Sequence, residues 1–202
     1  MVCSMINHAS KIIMFWSAKS ACTTIKNMMF YYESSGRILP RPLDIHHIRG
    51  GYNEVPFQSL RDGKFKDYTL IVVVRNPYTR FCSANLYNAK LENTDPALYI
   101  TKMYPEKYKT THHLELQSHG IDLLGERKFD HAFDISQLDQ VNAILSARHP
   151  NLTPFQIRHL NDSGNTAKYG DMIKHYKAVI EEYYKSDIRF ITSLALEKLC
   201  LK

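Results

Sequence analysis

Short, wholly apolar runs alternate along the chain with longer stretches in which apolar residues recur every three or four positions. The first run, "KIIMFW" (11–16), is what a parallel strand covered on both faces requires. It enters a polar hinge, "SAKSACTT" (17–24), where Thr23 or Thr24 can cap a following helix. In that helix Ile25, Met28, Met29 and Tyr32 keep the i, i+3, i+4, i+7 rule, and Gly36 marks a stop. "PLDIHHI" (42–48) reads as a second strand, and "YTLIVVV" (68–74) as the strongest strand in the chain. The latter breaks at "RNP", where Asn76 can cap a helix that has Pro77 in its first turn.

"HAFDIS" (131–136) reads as a fourth strand, followed by a helix lined by Leu138, Val141, Ile144 and Leu145. Met172, Ile173, Tyr176, Val179, Ile180 and Tyr183 then make one long amphipathic helix before a short "IRFI" strand (188–191). Strand and helix alternate throughout, so the expected class is α/β with a mostly parallel sheet. Residues 1–202 form a single domain in this reading, and the polar, aromatic stretch 90–128 is an insert or lid over the sheet edge.

Composition narrows the field chiefly by exclusion. No apolar run approaches the roughly 20 residues of a membrane span, and the N-terminus lacks the basic-then-apolar pattern of a secretory signal. Taken as complete, the chain is expected in the cytoplasm. Four cysteines without a CxxC spacing argue against structural zinc and outline no disulfide framework. A net charge of +6 admits nucleic acid or an anionic small molecule as partner. The charges are dispersed, which favours a local anion site over a long nucleic-acid track.

Two polar hinges mark where that site belongs, since open α/β sheets bind ligands outside the carboxyl ends of their strands. In the first hinge, a helix start favours an anion, Lys19 adds a full charge, and Ser17, Ser20, Thr23 and Thr24 add hydroxyls. In the second, Arg75 ends the most buried strand with a guanidinium suited to phosphate, and Ser83 lies about two turns into the next helix. Two cationic strand ends imply one ligand with two separated anionic groups. The first hinge has no glycine and is not a Walker A loop; an arginine at the end of the strong strand would repel a metal ion. The ligand is therefore expected to bind without metal.

These segments resemble a known family. "SAKSACTT" is similar to the 5′-phosphosulfate loop of sulfotransferases, and "VVVRNPYTRFCSAN" strongly resembles their 3′-phosphate motif, nearest to the carbohydrate-type (family 2-like) branch. "HHLELQSHGI", "FDHAFDISQLD", "HLNDS" and "YYKSDIRFI" follow in the family's order, so the likeness covers most of residues 11–191. The resemblance implies a P-loop-like fold. It also implies 3′-phosphoadenosine 5′-phosphosulfate (PAPS) as sulfuryl donor and adenosine 3′,5′-bisphosphate (PAP) as product. Lys19, Ser20, Ala21, Cys22, Thr23 and Thr24 would surround the 5′-phosphosulfate, and Arg75 and Ser83 the 3′-phosphate. The chain departs from the family in having Ala18 where proline is common and Ala21 where glycine is common.

Sulfuryl transfer to a hydroxyl of a carbohydrate or small molecule needs a base for the acceptor proton and a cation at the leaving phosphate. Lys19 suits the second role. For the first, His47 at the end of the expected second strand is the leading candidate, with His46 as its neighbour or substitute. His112 and His113 are candidates for contact with the acceptor, which is not a nucleic acid or a membrane in this reading. Two other classes stay open: a nucleotide-dependent small-molecule kinase of related fold, and a basic RNA-binding protein.

Overall fold

The structure, a computed structural model, describes residues 3–47, 57–103, 113–119, 124, 127–157 and 166–196. Its frame is a four-stranded sheet of β1 (Cys3–Asn7), β2 (Ile12–Trp16), β3 (Thr69–Val74) and β4 (His131–Asp134), in that spatial order. β2, β3 and β4 run parallel, with Ile12 opposite Thr69 and Val74 opposite Asp134. β1 pairs antiparallel with β2 at the edge. The α/β class with a mostly parallel sheet is thus confirmed.

Side-chain alternation explains why the central runs are apolar without a polar face. Met14, Trp16, Ile71 and Val73 face one layer, where they meet Ile25, Met28 and Met29 of α1 (Cys22–Glu33). Val141 and Leu145 of α5 (Leu138–Ala147) join the same layer. Ile13, Phe15, Leu70, Val72 and Val74 face the other, against Leu60, Phe65 and Ile191. Leu60 belongs to the short α2 (Phe57–Arg61). A third cluster joins α3 (Pro77–Leu91), α4 (Pro96–Met103) and α6 (Thr166–Tyr183) through Phe81, Tyr99 and Ile180. Tyr99 is buried in that packing. The later helices are completed by α7 (Lys185–Ser193). Among the described residues no helix is long and apolar enough to cross a membrane.

Four expectations are corrected. Residues 42–46 form a 3₁₀ turn, Pro42–His46, instead of a strand, with Pro42 in its first turn and the Pro42 carbonyl taken by the Asn27 amide. The run 188–191 lies inside α7, where Asp187 and Ile191 are buried one turn apart; a four-residue apolar run does not distinguish a strand from a buried helix turn. β1 was not anticipated, because its "CSMIN" carries two polar residues that the edge position nevertheless buries. Finally, α1 starts at Cys22 with Ala21 as N-cap, so Thr23 and Thr24 lie inside the helix.

Part of the stretch expected as an insert is helical: α3 continues to Leu91 and α4 follows at Pro96–Met103. The Asn76 cap is as read from the sequence. Its Oδ1 accepts the backbone N–H groups of Tyr78 at 2.9 Å and Thr79 at 3.1 Å. Because this cap fixes the start of the helix that follows Arg75, Asn76→Ala should lower the unfolding free energy by about 1–2 kcal/mol in urea titrations, while Asn76→Asp costs less.

Candidate active site

The anion loop owes its shape to two left-handed residues. Lys19 has φ 66° and Ala21 has φ 59°, conformations that cost a non-glycine residue about 1 kcal/mol each. Alternating backbone turns of this kind shape a nest for an anion; here the Ser20 N–H is taken by the Ser17 carbonyl at 3.2 Å, so the nest's donors are those that follow it toward the first turn of α1. The nest opens at the N-terminus of α1, which no side chain caps and whose first turn holds no acidic residue. Ser17 and Ser20 share a hydrogen bond of 2.9 Å at its floor.

β3 ends beside this loop because it is the parallel neighbour of β2. Arg75 therefore reaches across and donates from Nη1 to the Lys19 carbonyl at 3.0 Å, and from Nε to Thr79 Oγ1 at 3.3 Å. Its backbone is held by Gln117, whose Oε1 accepts from Arg75 N at 2.9 Å and whose Nε2 donates to Arg75 O at 2.8 Å. The same Oε1 accepts from Ser20 Oγ at 3.1 Å. One buried glutamine thus ties the two hinges together.

Arg80 secures the loop from behind. It is fully buried; its Nε donates to the Ala18 carbonyl at 2.9 Å and its Nη2 to the Glu115 carbonyl. Its Nη1 faces Asp187 Oδ2 at 3.8 Å, near enough for charge attraction and too far for a hydrogen bond. Asp187 Oδ1 accepts from the backbone and hydroxyl of Ser118 at 2.8 and 2.9 Å. Segment 113–119 is therefore a wall of the site and packs into its floor.

Helix α3 presents one face to both cations. Thr79, Ser83 and Tyr87 are spaced by four and share a stripe. Thr79 meets Arg75, and Lys19 Nζ sits 4.1 Å over the Tyr87 ring, a cation–π contact. Ser83 lies between them. Burial pushes the Lys19 ammonium below its usual range, and the charges of Arg75 and Arg80 push it further the same way.

The histidines divide. His46 Nε2 is 3.0 Å from Thr23 Oγ1, and Lys26 Nζ approaches its Nδ1 at 3.4 Å. Burial, followed by the charge of Lys26, lowers its pKa and keeps the ring neutral. His47 caps the 3₁₀ turn and is exposed, since the turn rotates it away from the alternation a strand would have imposed. The His113 ring lies edge-on to Tyr87, centroids 4.8 Å apart, and its Nδ1 is 3.0 Å from Asn88 Oδ1. His112 lies outside the described residues. Among the described residues no cluster of His, Cys, Asp and Glu could hold a metal ion.

A family model described as "Sulfotransferase family" matches residues 4–179. The chain belongs to the sulfotransferase family. Among curated proteins and among solved structures, no match reaches significance. Membership makes the chain a transferase of sulfuryl groups. The structure joins the loop that holds Lys19, Ser20 and Ala21, and that leads into Cys22, Thr23 and Thr24 of α1, to Arg75 through the Lys19 carbonyl and Gln117, and it sets Ser83 on α3 between Thr79 and Tyr87. It adds to this sulfotransferase two residues that sequence reasoning missed. Arg80 had a signal, a cation placed in the buried register of α3 between Pro77 and Ala84. Gln117 had none. Because Arg80 and Asp187 are both fully buried, Arg80→Met or Asp187→Asn should each cost about 3–5 kcal/mol in urea unfolding. The Arg80→Met/Asp187→Asn double variant should lose clearly less than the sum, and strict additivity would show that the two charges are not coupled.

Proposed function

We propose that this sulfotransferase moves a sulfuryl group from PAPS to a hydroxyl of a carbohydrate or small-molecule acceptor, without metal. The observation that carries the reading is the pair of cations on adjacent parallel strand ends, Lys19 and Arg75, set beside an uncapped helix N-terminus. The nest and the open N-terminus fit a phosphosulfate, and the Arg75–Ser83 side fits a second phosphate. When bound, PAPS supplies an activated sulfuryl group on a phosphate leaving group. Lys19 places its ammonium where leaving-group charge grows, and the nest N–H groups hold that charge without reorganising. Arg75 grips a phosphate whose charge does not change, so it contributes affinity more than rate.

For the base, the geometry favours His113 over His46 and His47. An ammonium can only donate, so Lys26 faces the lone pair of His46 Nδ1, and proton uptake there would set two cations side by side. At His113 the Asn88 carbonyl oxygen accepts from Nδ1–H, which makes Nε2 the proton-accepting nitrogen and fixes the ring. Tyr87 touches both groups, its ring centroid 4.8 Å from that of His113 and 4.1 Å from the Lys19 ammonium, which keeps the proposed base and the leaving-group cation at one site. His46 then serves the loop by holding Thr23.

Calorimetry with PAP in EDTA tests the donor site, and binding only of ATP–magnesium or RNA would reject it. Arg75→Ala should weaken PAP by roughly 2–4 kcal/mol. Affinity should fall as pH rises, starting below the ordinary lysine value of 10.5, because Lys19 is already biased toward its neutral form. Lys19→Arg should remove that fall, since a guanidinium stays charged.

The base assignment makes a separate claim. His113→Asn should lower kcat by roughly 10²–10⁴ with PAP affinity nearly unchanged, and His47→Asn should leave kcat close to normal. A rate loss confined to the variants at positions 46 and 47 would return the base to the 3₁₀ turn.

A further inference from the structure

On α1, Thr23, Asn27 and Tyr31 are spaced by four and form a stripe leading away from the anion loop. Asn27 and Tyr31 line a cavity of about 280 Å³, closed by Leu39, Pro42, Pro154 and Phe155. The volume is nearly twice that of the apolar cavity of about 150 Å³ known to take benzene, so a fused bicyclic ring fits. Prolines fix much of the wall and leave little to reorganise on binding.

Its buried polar side chain, Asn27, and its half-bonded Tyr31 are one-sided, while Thr153 and Gln156, whose side chains can also donate, are exposed to water. Asn27 Nδ2 donates to the carbonyls of Thr23 at 2.8 Å and Pro42 at 2.9 Å. Both partners can only accept, so the amide cannot be reversed, and the remaining atom, Oδ1, is an acceptor. Tyr31 donates its hydroxyl hydrogen to the Thr153 carbonyl at 2.7 Å, which leaves that oxygen as an acceptor too. Where the polar atoms fixed by hydrogen bonds, those of Asn27 and Tyr31, are left only to accept, an apolar ligand that brings a donor is favoured.

We infer that this cavity is a second ligand site, separate from the anion loop, for a small planar apolar compound bearing an N–H or O–H group, of the indole or phenol class. The inference does not rest on sulfuryl transfer. A basic protein surface and an anion loop would not select such a molecule; the Asn27 and Tyr31 acceptors do.

The test titrates the full chain with indole and with benzofuran, which has the same shape and no donor, and follows ¹H–¹⁵N spectra including the Asn27 side-chain amide. Indole should bind saturably with a Kd below about 1 mM and about three- to tenfold more tightly than benzofuran, the worth of one hydrogen bond. Ile38 is 72% exposed at the cavity rim, so Ile38→Trp should fold normally while blocking entry, as should Gln156→Trp at the opposite rim. Both should abolish indole binding and leave PAP affinity as in the parent. Equal affinity for the two rings, indole binding that survives both rim variants, or competition between indole and PAP would each overturn the assignment. So would the absence of indole binding.

Discussion

A single guanidinium with no access to water holds the site together. Arg80 is tied to the anion loop through Ala18, to segment 113–119 through Glu115, and to α7 through Asp187. These three pieces are far apart in sequence and share no backbone pairing. A buried cation costs several kcal/mol unless its donors find acceptors and its charge finds a partner. That requirement makes the contacts mutually dependent: the loop cannot shift without stranding Arg80, and Arg80 cannot shift without stranding Asp187. Lysine could not replace it, because one ammonium cannot reach carbonyls in the directions that a planar fork reaches.

The same requirement sets the electrostatics of the opening. Lys19, Arg75 and Arg80 lie near one another, and the buried carboxylate of Asp187 answers only Arg80. Arg75 spends donors on Thr79 and on the Lys19 carbonyl, and Lys19 rests on the face of Tyr87. These contacts orient the two cations without neutralising them. Mutual repulsion and burial therefore remain as a standing cost that an incoming anion relieves, which is why Lys19 is biased toward losing its proton before any ligand arrives. Arg75 belongs to the loop's support as well as to its binding face, so its removal acts on both.

Much of this was legible in the chain. The runs 12–16 and 69–74 are apolar at every position because both faces are covered, and Asn76-Pro77 announced a helix start that the structure contains. Lys19 and Arg75 stand out in the sequence because a cation at the end of a buried strand breaks the pattern around it, and the structure sets Arg75 against the Lys19 carbonyl. What stayed hidden depends on long-range partners. The 3₁₀ turn at 42–46 carries an alternation like that of a strand, and only the Asn27 amide on its Pro42 carbonyl shows why it curls. With that turn read as a strand, His47 is expected beside the loop, whereas the structure sets the His46 ring against Thr23. Gln117 sits in "LELQSHG", where nothing local marks it, yet it bonds both hinges.

Ala21 shows how such a framework can override local preference. Glycine would reach a left-handed backbone there without steric cost. Here an alanine adopts it, directly before the first residue of α1 and two residues after another left-handed position. The loop around it is over-determined: Ser17 bonds Ser20, Arg80 holds the Ala18 carbonyl, Arg75 holds the Lys19 carbonyl, and Ala21 itself accepts the Ile25 N–H at 3.0 Å. Several hydrogen bonds, each with a net worth of about 1 kcal/mol, are more than enough to offset strain of about 1 kcal/mol at each of two residues. The nest therefore does not need glycine to exist. It needs the buried arginine that anchors its first carbonyl, and the lysine whose own carbonyl the second arginine holds.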